Sequence, residues 1–467
     1  MENERKITTI LNLLHKFYIQ NLFEELYVLC FGRESMRESK FNFLFDHKGD
    51  NYVYNSFTGC FAKVDNEFIT LLENVRNNNQ FYSESDTFNK MKLSGVIIDN
   101  DRDEYAEYRD LFEKTSLDPM SCTFTIALSF SCNFKCPYCY EEKDHYVMSD
   151  SHIEKLINFM EKSLVGKKHV NIVWYGGEPL IFKEKVFAIA KHMIQHCEDN
   201  GIKYSSSMVT NGFYITKDIV EEMKNNRISH IQITLDGNRE KHNQKRFQPN
   251  GDGSYDRILN AIKLVDNAGI NLSVRVNVDK NNTEGLNELF DDLKDLNLNN
   301  THIYFGLLAA STDACASIRG TCLTNEEFSM YQLKWNKVLY EKGLFKSMLS
   351  RYPKRRNLSC AALKVNSFVV DSRGNFYKCW DDIGNVKKSV GNLDNIESLP
   401  FKKGEVADSY LNWSPFVYEE CQTCKILPIC SGFCAYYAMK RNKPQCVNWK
   451  YTLIDYLKGY LDLEKSK

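Results

Sequence analysis

Between residues 122 and 308 the chain repeats one pattern six times: a short run of β-branched and apolar residues, then an amphipathic stretch of helical period. The runs are TFTIALSF (123–130), VNIVWYG (170–176), KYSSSMVTNG (203–212), HIQITLDG (230–237), NLSVRVNVD (271–279) and HIYFGLL (302–308). Between them lie stretches such as HIEKLINFMEKSL, KVFAIAKHMIQHC, TKDIVEEMKNN, RILNAIKLVDNAG and GLNELFDDLKDL, with apolar residues three and four apart. Strands alternating with helices imply a parallel sheet, because parallel neighbours need a crossover connection. Six such units suit a partial barrel or an open doubly wound sheet, and in either one ligands gather at the carboxyl ends of the strands.

The polar motifs fall at those ends. Cys132, Cys136 and Cys139 follow the first strand, and Gly176-Gly177-Glu178-Pro179 ends the second. Thr210-Asn211-Gly212 ends the third, Thr234-Leu235-Asp236-Gly237 ends the fourth, and Arg275 and Asn277 stand late in the fifth. An active site on one rim is the expectation.

Cysteine usage narrows its chemistry. The chain has 467 residues, 16 of them Cys, and 60 Lys+Arg against 61 Asp+Glu for a net charge of -1. Such a balance argues against a nucleic-acid or membrane-surface partner. No apolar run is long enough to span a bilayer and the N-terminal stretch has no signal-peptide features, so a cytoplasmic location is expected. In that reducing compartment closely spaced thiols read as metal ligands. The spacing Cys132-x3-Cys136-x2-Cys139 can hold three irons of a 4Fe-4S cubane and leave the fourth without a protein ligand. The alternative for the triplet alone is a structural zinc site, although zinc usually shows paired CxxC spacing and a fourth ligand nearby.

With GGEP at the second strand of a six-unit βα domain, the triplet resembles the radical S-adenosylmethionine (SAM) superfamily. The resemblance implies a partial (β/α)6 barrel in which the open iron chelates SAM and one-electron reduction yields a 5'-deoxyadenosyl radical that abstracts hydrogen from carbon. Other positions are compatible with that cofactor. Gly176 and Gly177 would let backbone approach a ligand closely, and Glu178 would accept bonds from its ammonium group. Asn211, Thr234, Asp236 and Asn277 are short polar groups on the rim, the first three suited to ribose hydroxyls, and Arg246 or Arg275 would pair with a carboxylate. Tyr138 would lie beside the adenine by resemblance.

A second constellation runs Cys360-x13-Gly374-x4-Cys379, then Cys421-x2-Cys424-x5-Cys430-x3-Cys434, then Cys446. Taken alone, Cys421, Cys424, Cys430 and Cys434 could make one tetrahedral zinc site. Taken with the triplet, the string resembles the SPASM domain, the auxiliary-cluster extension of peptide-modifying radical enzymes. That resemblance implies two further 4Fe-4S clusters, one on Cys360, Cys379 and Cys434, the other on Cys421, Cys424, Cys430 and Cys446. The first set lacks a fourth thiol, for which Cys322 or Cys315 are candidates; otherwise an iron stays open to a substrate thiolate. The remaining cysteines read as buried apolar residues.

Ahead of the barrel, apolar spacing predicts a helix to about residue 36. FNFLFDHKGDNYVYNSFTGCFAKVD then gives two strand-like runs about the turn His47-Lys48-Gly49-Asp50, followed by a helix with an Asn cap at NEFITLLENVRNN and by GVIID. This α+β module resembles the recognition element of enzymes that mature ribosomally made peptides, where a leader segment adds a strand to a sheet edge. The expected domains are 1–117 for this module, 118–310 for the barrel, 311–355 for a helical connector, 356–450 for the cysteine-rich domain and 451–467 for a closing helix. The expected activity is hydrogen abstraction from a precursor peptide to form a cysteine thioether crosslink, with an external donor such as flavodoxin or ferredoxin. Asp381 or Asp382 would take a proton. Carbon-carbon crosslinking, formylglycine formation of the sulfatase-maturase kind, and a non-catalytic iron-sulfur or zinc protein are the alternatives. Sulfatase maturases usually begin close to their triplet and place an aspartate where this chain has Trp380.

Overall fold

The structure, a computed structural model, describes residues 35–77, 85–310, 312–345, 351–395 and 405–464. The expected N-terminal helix lies outside the described residues, except that Met36 already begins a strand. The chain divides after Ala106 into two compact units.

The first unit has strands β1 (Met36–Glu38), β2 (Asn42–His47), β3 (Asp50–Asn55), β4 (Phe61–Val64) and β5 (Ile97–Asp99), with helices Asn66–Arg76 and Asp86–Leu93 before β5. Antiparallel pairing joins β1 to β5 and builds a second sheet in the order β2-β3-β4. Lys48 and Gly49, with φ of 52° and 82°, form the mirror-image turn whose twist matches a hairpin. Sequence reading expects two strands here, and the structure has three. Asn55, fully buried, accepts the N–H groups of Phe57 and Thr58 on its Oδ1, both at 2.9 Å, and so turns the chain out of β3. The helix Asn66–Arg76 is capped by Asp65, not Asn66, because Asp65 is the last extended residue and its Oδ1 accepts from Phe68 N–H at 2.9 Å. The helices' apolar faces close on Val53 and Ile97 through Phe68, Leu72, Val75 and Met91.

In the second unit the six βα cycles appear as β6 (Ser121–Ala127), β7 (His169–Tyr175), β8 (Lys203–Thr210), β9 (Ile228–Leu235), β10 (Asn271–Val278) and β11 (Thr301–Leu307). All adjacent pairs are parallel and the spatial order is the sequence order. A doubly wound sheet reverses direction at a switch point; a sheet that only ever adds the next strand on the same side curls towards a barrel. The partial (β/α)6 barrel is therefore the architecture. Its outer helices start on caps written in the sequence, Ser149 accepting from His152 N–H and Thr216 from Ile219 N–H.

The cysteine-rich segment continues this sheet, which its weak sequence periodicity did not suggest. β12 (Ser367–Val370) pairs parallel with β6, and β13 (Asn375–Tyr377) and β14 (Gly391–Asn392) follow antiparallel. The division after Ala106 precedes the expected boundary at 117. Helix Glu104–Ser116 explains this: Phe112 meets Phe416 edge-on, and Tyr108 packs against Phe416 at a tilt and donates its hydroxyl to the Arg356 carbonyl at 2.6 Å. The closing helix Trp449–Glu464 packs on the connector helix Asn325–Glu341, so neither stands apart.

Replacing Asn55 by Ala strips the buried Phe57 N–H and the neighbouring Thr58 N–H of their acceptor, at a cost of about 1–3 kcal/mol. Hydrogen exchange is expected to quicken at the Phe57 and Thr58 amides and stay unchanged in β6–β11, as peptide-level mass spectrometry would read.

Candidate functional site

The carboxyl ends of the barrel strands open into a cavity of about 770 Å³ that the connector helix and cysteine-rich segment wall on the other side. The wall is built first by backbone. Gly177 N–H donates to the Ser129 carbonyl at 3.1 Å and Glu178 N–H to the Ser131 carbonyl at 2.9 Å, so the end of β7 is laid against the loop carrying the cysteines. A Cβ on Gly177 would lie 2.2 Å from the Ser131 oxygen, and one on Gly176, whose φ is 110°, would lie 2.5 Å from the Ser129 oxygen. The glycines line the cavity, but the close approach that demands them is to the chain's own backbone.

Glu178 departs from expectation. It is 1% exposed and does not line the cavity. Its Oε1 accepts from the Thr210 hydroxyl at 2.7 Å and Leu180 N–H at 3.1 Å, and its Oε2 from Asn211 N–H at 2.7 Å. The carboxylate thus ties the end of β7 to the end of β8 instead of reaching a ligand. Burial raises its pKa and the three donors oppose that shift.

Cys132, Cys136 and Cys139 all face the cavity. Burial pushes the Cys132 thiol up to about 11 and Cys139 up to about 12; Cys136 is raised too, against the pull of Arg246. Three soft donors on one loop beside open space suit a cluster that keeps one iron accessible, and coordination would supply the positive charge that favours thiolate. Phe134 N–H donates to Cys132 Sγ at 3.4 Å, and Asn211 Nδ2 lies 3.9 Å from it while donating to Asn133 Oδ1 at 2.7 Å.

Beside the triplet, Tyr138 donates its hydroxyl to Asp236 Oδ2, and Arg246 Nη1 donates to the same hydroxyl at 2.8 Å. Asp236 is fully buried behind the wall; its Oδ1 and the Arg246 Nε have no hydrogen-bond partner. Burial raises the Asp236 pKa and Arg246 counters it. Asp236 therefore holds Tyr138 rather than facing a ligand, while Tyr138, Asn211, Thr234 and Arg246 line the cavity. Arg275 and Asn277 line it as well, with Arg275 Nε donating to Asn277 Oδ1 at 2.8 Å; Gly306 is open to them, since a Cβ there would lie 2.5 Å from Arg275 Nε.

Two groups that sequence reading passed over join this wall. Glu141 is buried, has an unpartnered Oε1, and is pushed up to about 7 by burial, with Lys143 acting oppositely. Nothing in the run EEKD distinguishes it from its charged neighbours. Tyr175 ends β7, pairs its hydroxyl with that of Tyr140 and packs against Trp380 at a tilt with ring centres 4.4 Å apart. Of the two expected proton acceptors, Asp381 lines the cavity with an oxygen 4.0 Å from Cys379 Sγ. Asp382 does not line it: it is 5% exposed and accepts the Tyr410 hydroxyl at 2.7 Å.

The seven C-terminal thiols fall into two neighbourhoods. Cys421 is raised to about 12 by burial and then by Cys430, Cys424 and Cys446. Cys379 is raised by burial and then by Asp381, Asp382 and Cys360, while Cys434 is pushed up to about 11 by burial and further by Cys360 and Asp381. Between the neighbourhoods, Ser431, Gly432 and Phe433 are all left-handed, with φ of 55°, 76° and 53°. Cys322 lies in an apolar cluster with Leu308, Cys315 and Ile318, its thiol donating to the Ile318 carbonyl at 3.4 Å. Among the described residues no three His, Cys, Asp or Glu groups are gathered as a single metal ion would require. No described helix is long and apolar enough to cross a membrane.

A partial (β/α)6 barrel with three thiols on the loop after its first strand defines the class of a radical-generating iron-sulfur enzyme. Comparison with known proteins agrees: residues 126–293 match the Radical SAM superfamily. The chain carries a radical SAM domain and is an enzyme of that kind, which works with SAM and a 4Fe-4S cluster; the non-catalytic alternative is set aside. It is similar to the serine-type anaerobic sulfatase-maturating enzyme of Klebsiella aerogenes, 22% identical over 65% of this chain and 77% of that protein. It is similar also to the radical SAM cyclopropyl synthase TigE of Paramaledivibacter caminithermalis, 21% identical over 90% of this chain and 92% of that one. Among solved structures, anSMEcpe with bound AdoMet matches with a TM-score of 0.56 and 19% identity, over 73% of this chain and 99% of that chain. Streptococcus suis SuiB bound to its precursor peptide SuiA matches with a TM-score of 0.51 and 16% identity, over 88% and 98%.

Two substitutions test this construction. Gly177→Ala drives a methyl group into the Ser131 carbonyl and is expected to cost about 1–3 kcal/mol and to lower iron uptake by the triplet. For Glu178→Gln, which places an N–H donor among three others, a loss of about 1–3 kcal/mol in urea unfolding is expected. Unchanged stability with weakened SAM binding would instead make Glu178 a ligand group.

Proposed function

We propose that the protein modifies a ribosomally made precursor peptide, abstracting hydrogen from a backbone or side-chain carbon to give a cysteine thioether crosslink. The observation that carries this reading is the reach of the likeness. The match to the SuiB–SuiA structure covers 88% of the chain and leaves out fewer residues than the 106 of the first unit, so it includes part of that unit. The 73% match to anSMEcpe has no need of it. A three-stranded antiparallel sheet in which β2 and β4 are the outer strands among the described residues suits addition of a leader strand.

SAM on a 4Fe-4S cluster held by Cys132, Cys136 and Cys139 would supply a 5'-deoxyadenosyl radical. Around it, Tyr138 fixes one wall through Asp236 and Arg246, and Gly176 and Gly177 keep backbone close without side chains. Asn211, Thr234, Arg275 and Asn277 offer polar groups to ribose hydroxyls and to carboxylates, and the connector helix lines the cavity with Asn325, Phe328, Ser329 and Gln332. The neighbourhoods Cys360/Cys379/Cys434 and Cys421/Cys424/Cys430/Cys446 are proposed to hold two auxiliary clusters that carry the remaining electron, with flavodoxin or ferredoxin as outside donor. Because Cys322 packs with Cys315 and Ile318, the open place in the first set is assigned to a substrate thiolate. Asp381 is the acid-base group.

Formylglycine formation is the second reading, favoured by the sulfatase-maturating relatives and by Asp381 within the cavity. Anaerobic incubation with a cysteine-containing precursor, followed by mass spectrometry, separates the two. Loss of two hydrogens per crosslink supports the thioether, and formylglycine in a sulfatase peptide supports the second reading. With three clusters, about twelve irons per chain are expected, falling to about eight when Cys132, Cys136 and Cys139 become Ala. That triple variant is expected to lose dithionite-driven SAM cleavage, and retained cleavage would refute the triplet's role.

A further inference from the structure

The connector helix Asn325–Glu341 turns Asn325, Phe328, Ser329 and Gln332 to the cavity, residues three and four apart that share one helical face. Its charged residues Glu326, Glu327, Lys334, Lys337 and Glu341 are exposed and do not line the cavity, so this wall of it is neutral. The loop around Cys446 adds Gln445, Val447 and Asn448. Asn325 Nδ2 donates to the Cys446 carbonyl at 3.1 Å and holds helix and loop together. Four carboxamides, those of Asn325, Gln332, Gln445 and Asn448, thus converge on one side of the cavity. Two of them are unsatisfied: Gln332 Oε1 and Gln445 Oε1 are buried with no hydrogen-bond partner among the described residues. A buried carbonyl without a donor carries a free-energy cost that a bound donor removes. The last torsion of a glutamine is broad, so either amide can turn its oxygen towards a donor that enters the cavity.

We propose that these carboxamides bind the main chain of the substrate peptide beside the residue to be modified, whatever its neighbouring side chains. The inference rests on the proposed reading of a peptide as substrate. A carboxamide is uncharged and both donates and accepts, the same two functions that a peptide main chain presents along its length. Gln332 and Gln445 accept from peptide N–H groups, and amide nitrogens of the same wall donate to peptide carbonyls. SAM is the competing occupant. Its carboxylate calls for a cation, and Arg246 and Arg275 line the cavity from the barrel, not from this wall. Gln332 and Gln445 are therefore positioning residues, which set the stretch of backbone held in the cavity and take no part in bond making.

The test uses the full chain, reconstituted anaerobically, and a fluorescent cysteine-containing precursor peptide. A set of the same peptide carries one main-chain N-methyl group at each position around the cysteine, which removes one N–H donor at a time. By anisotropy the parent is expected to bind one of the methylated peptides about tenfold more weakly than the plain peptide. Gln332→Met is expected to bind the plain peptide about tenfold more weakly than the parent does and to lose the penalty at that position, as a double-mutant cycle requires of a direct contact. Its SAM affinity and its urea midpoint stay at the parent values, since Gln332 Oε1 has no partner to lose. Gln445→Met repeats the test from the loop, with its iron content checked against the parent, and is expected to lose the penalty at a different position. Equal methylation penalties in the parent and both variants overturn the role of the carboxamides and leave the peptide reading standing. Weakened SAM binding with unchanged peptide affinity overturns it too and gives the wall to the cofactor. A parent that binds no cysteine-containing precursor overturns the peptide reading, and the inference with it.

Discussion

The site depends on one contact, the laying of Gly177 and Glu178 against the carbonyls of Ser129 and Ser131. Two backbone hydrogen bonds fix the loop that carries three thiols, and they form only because no side chain stands at residue 177. The carboxylate of Glu178 then locks the same corner to β8 by satisfying three donors at once. Removing any participant would leave a buried polar group without a partner, where the low dielectric makes the penalty largest. The corner is thus rigid before any cofactor arrives, which is what preorganisation of a reactive centre requires.

Charge is distributed around that corner unevenly. Arg246 and Asp236 face each other across Tyr138, so this wall carries its own compensation. The thiols of the triplet have no such compensation. Burial drives them towards the neutral form, a state that favours binding something cationic at the sulfurs.

The barrel was legible because its six strands and the amphipathic helices between them repeat two distinct periods, and the strand limits agree within a few residues. Deciding partial barrel over doubly wound sheet needed the spatial order, which no local pattern records. The packing of Glu178 and Asp236 was not legible for one reason: a carboxylate at a strand end looks alike in sequence whether it faces the cavity or a neighbouring loop. Asp381 and Asp382 make the same point, since adjacent identical residues in a short helical turn point to different surroundings. Asn55 hid a third strand because a buried turn-former carries no mark beyond its amide. β12–β14 were missed for want of length: strands of four, three and two residues cannot show alternation.

The pairing of β12 with β6 reaches beyond architecture. A partial barrel that begins at β6 would present that strand's outer N–H and C=O groups to solvent, an invitation to pair with another copy. Here residues from the far end of the chain cap it. The cysteine-rich segment is therefore no detachable accessory: cut away, it would leave a barrel with an adhesive rim, so the barrel depends for its solubility on the segment that follows it.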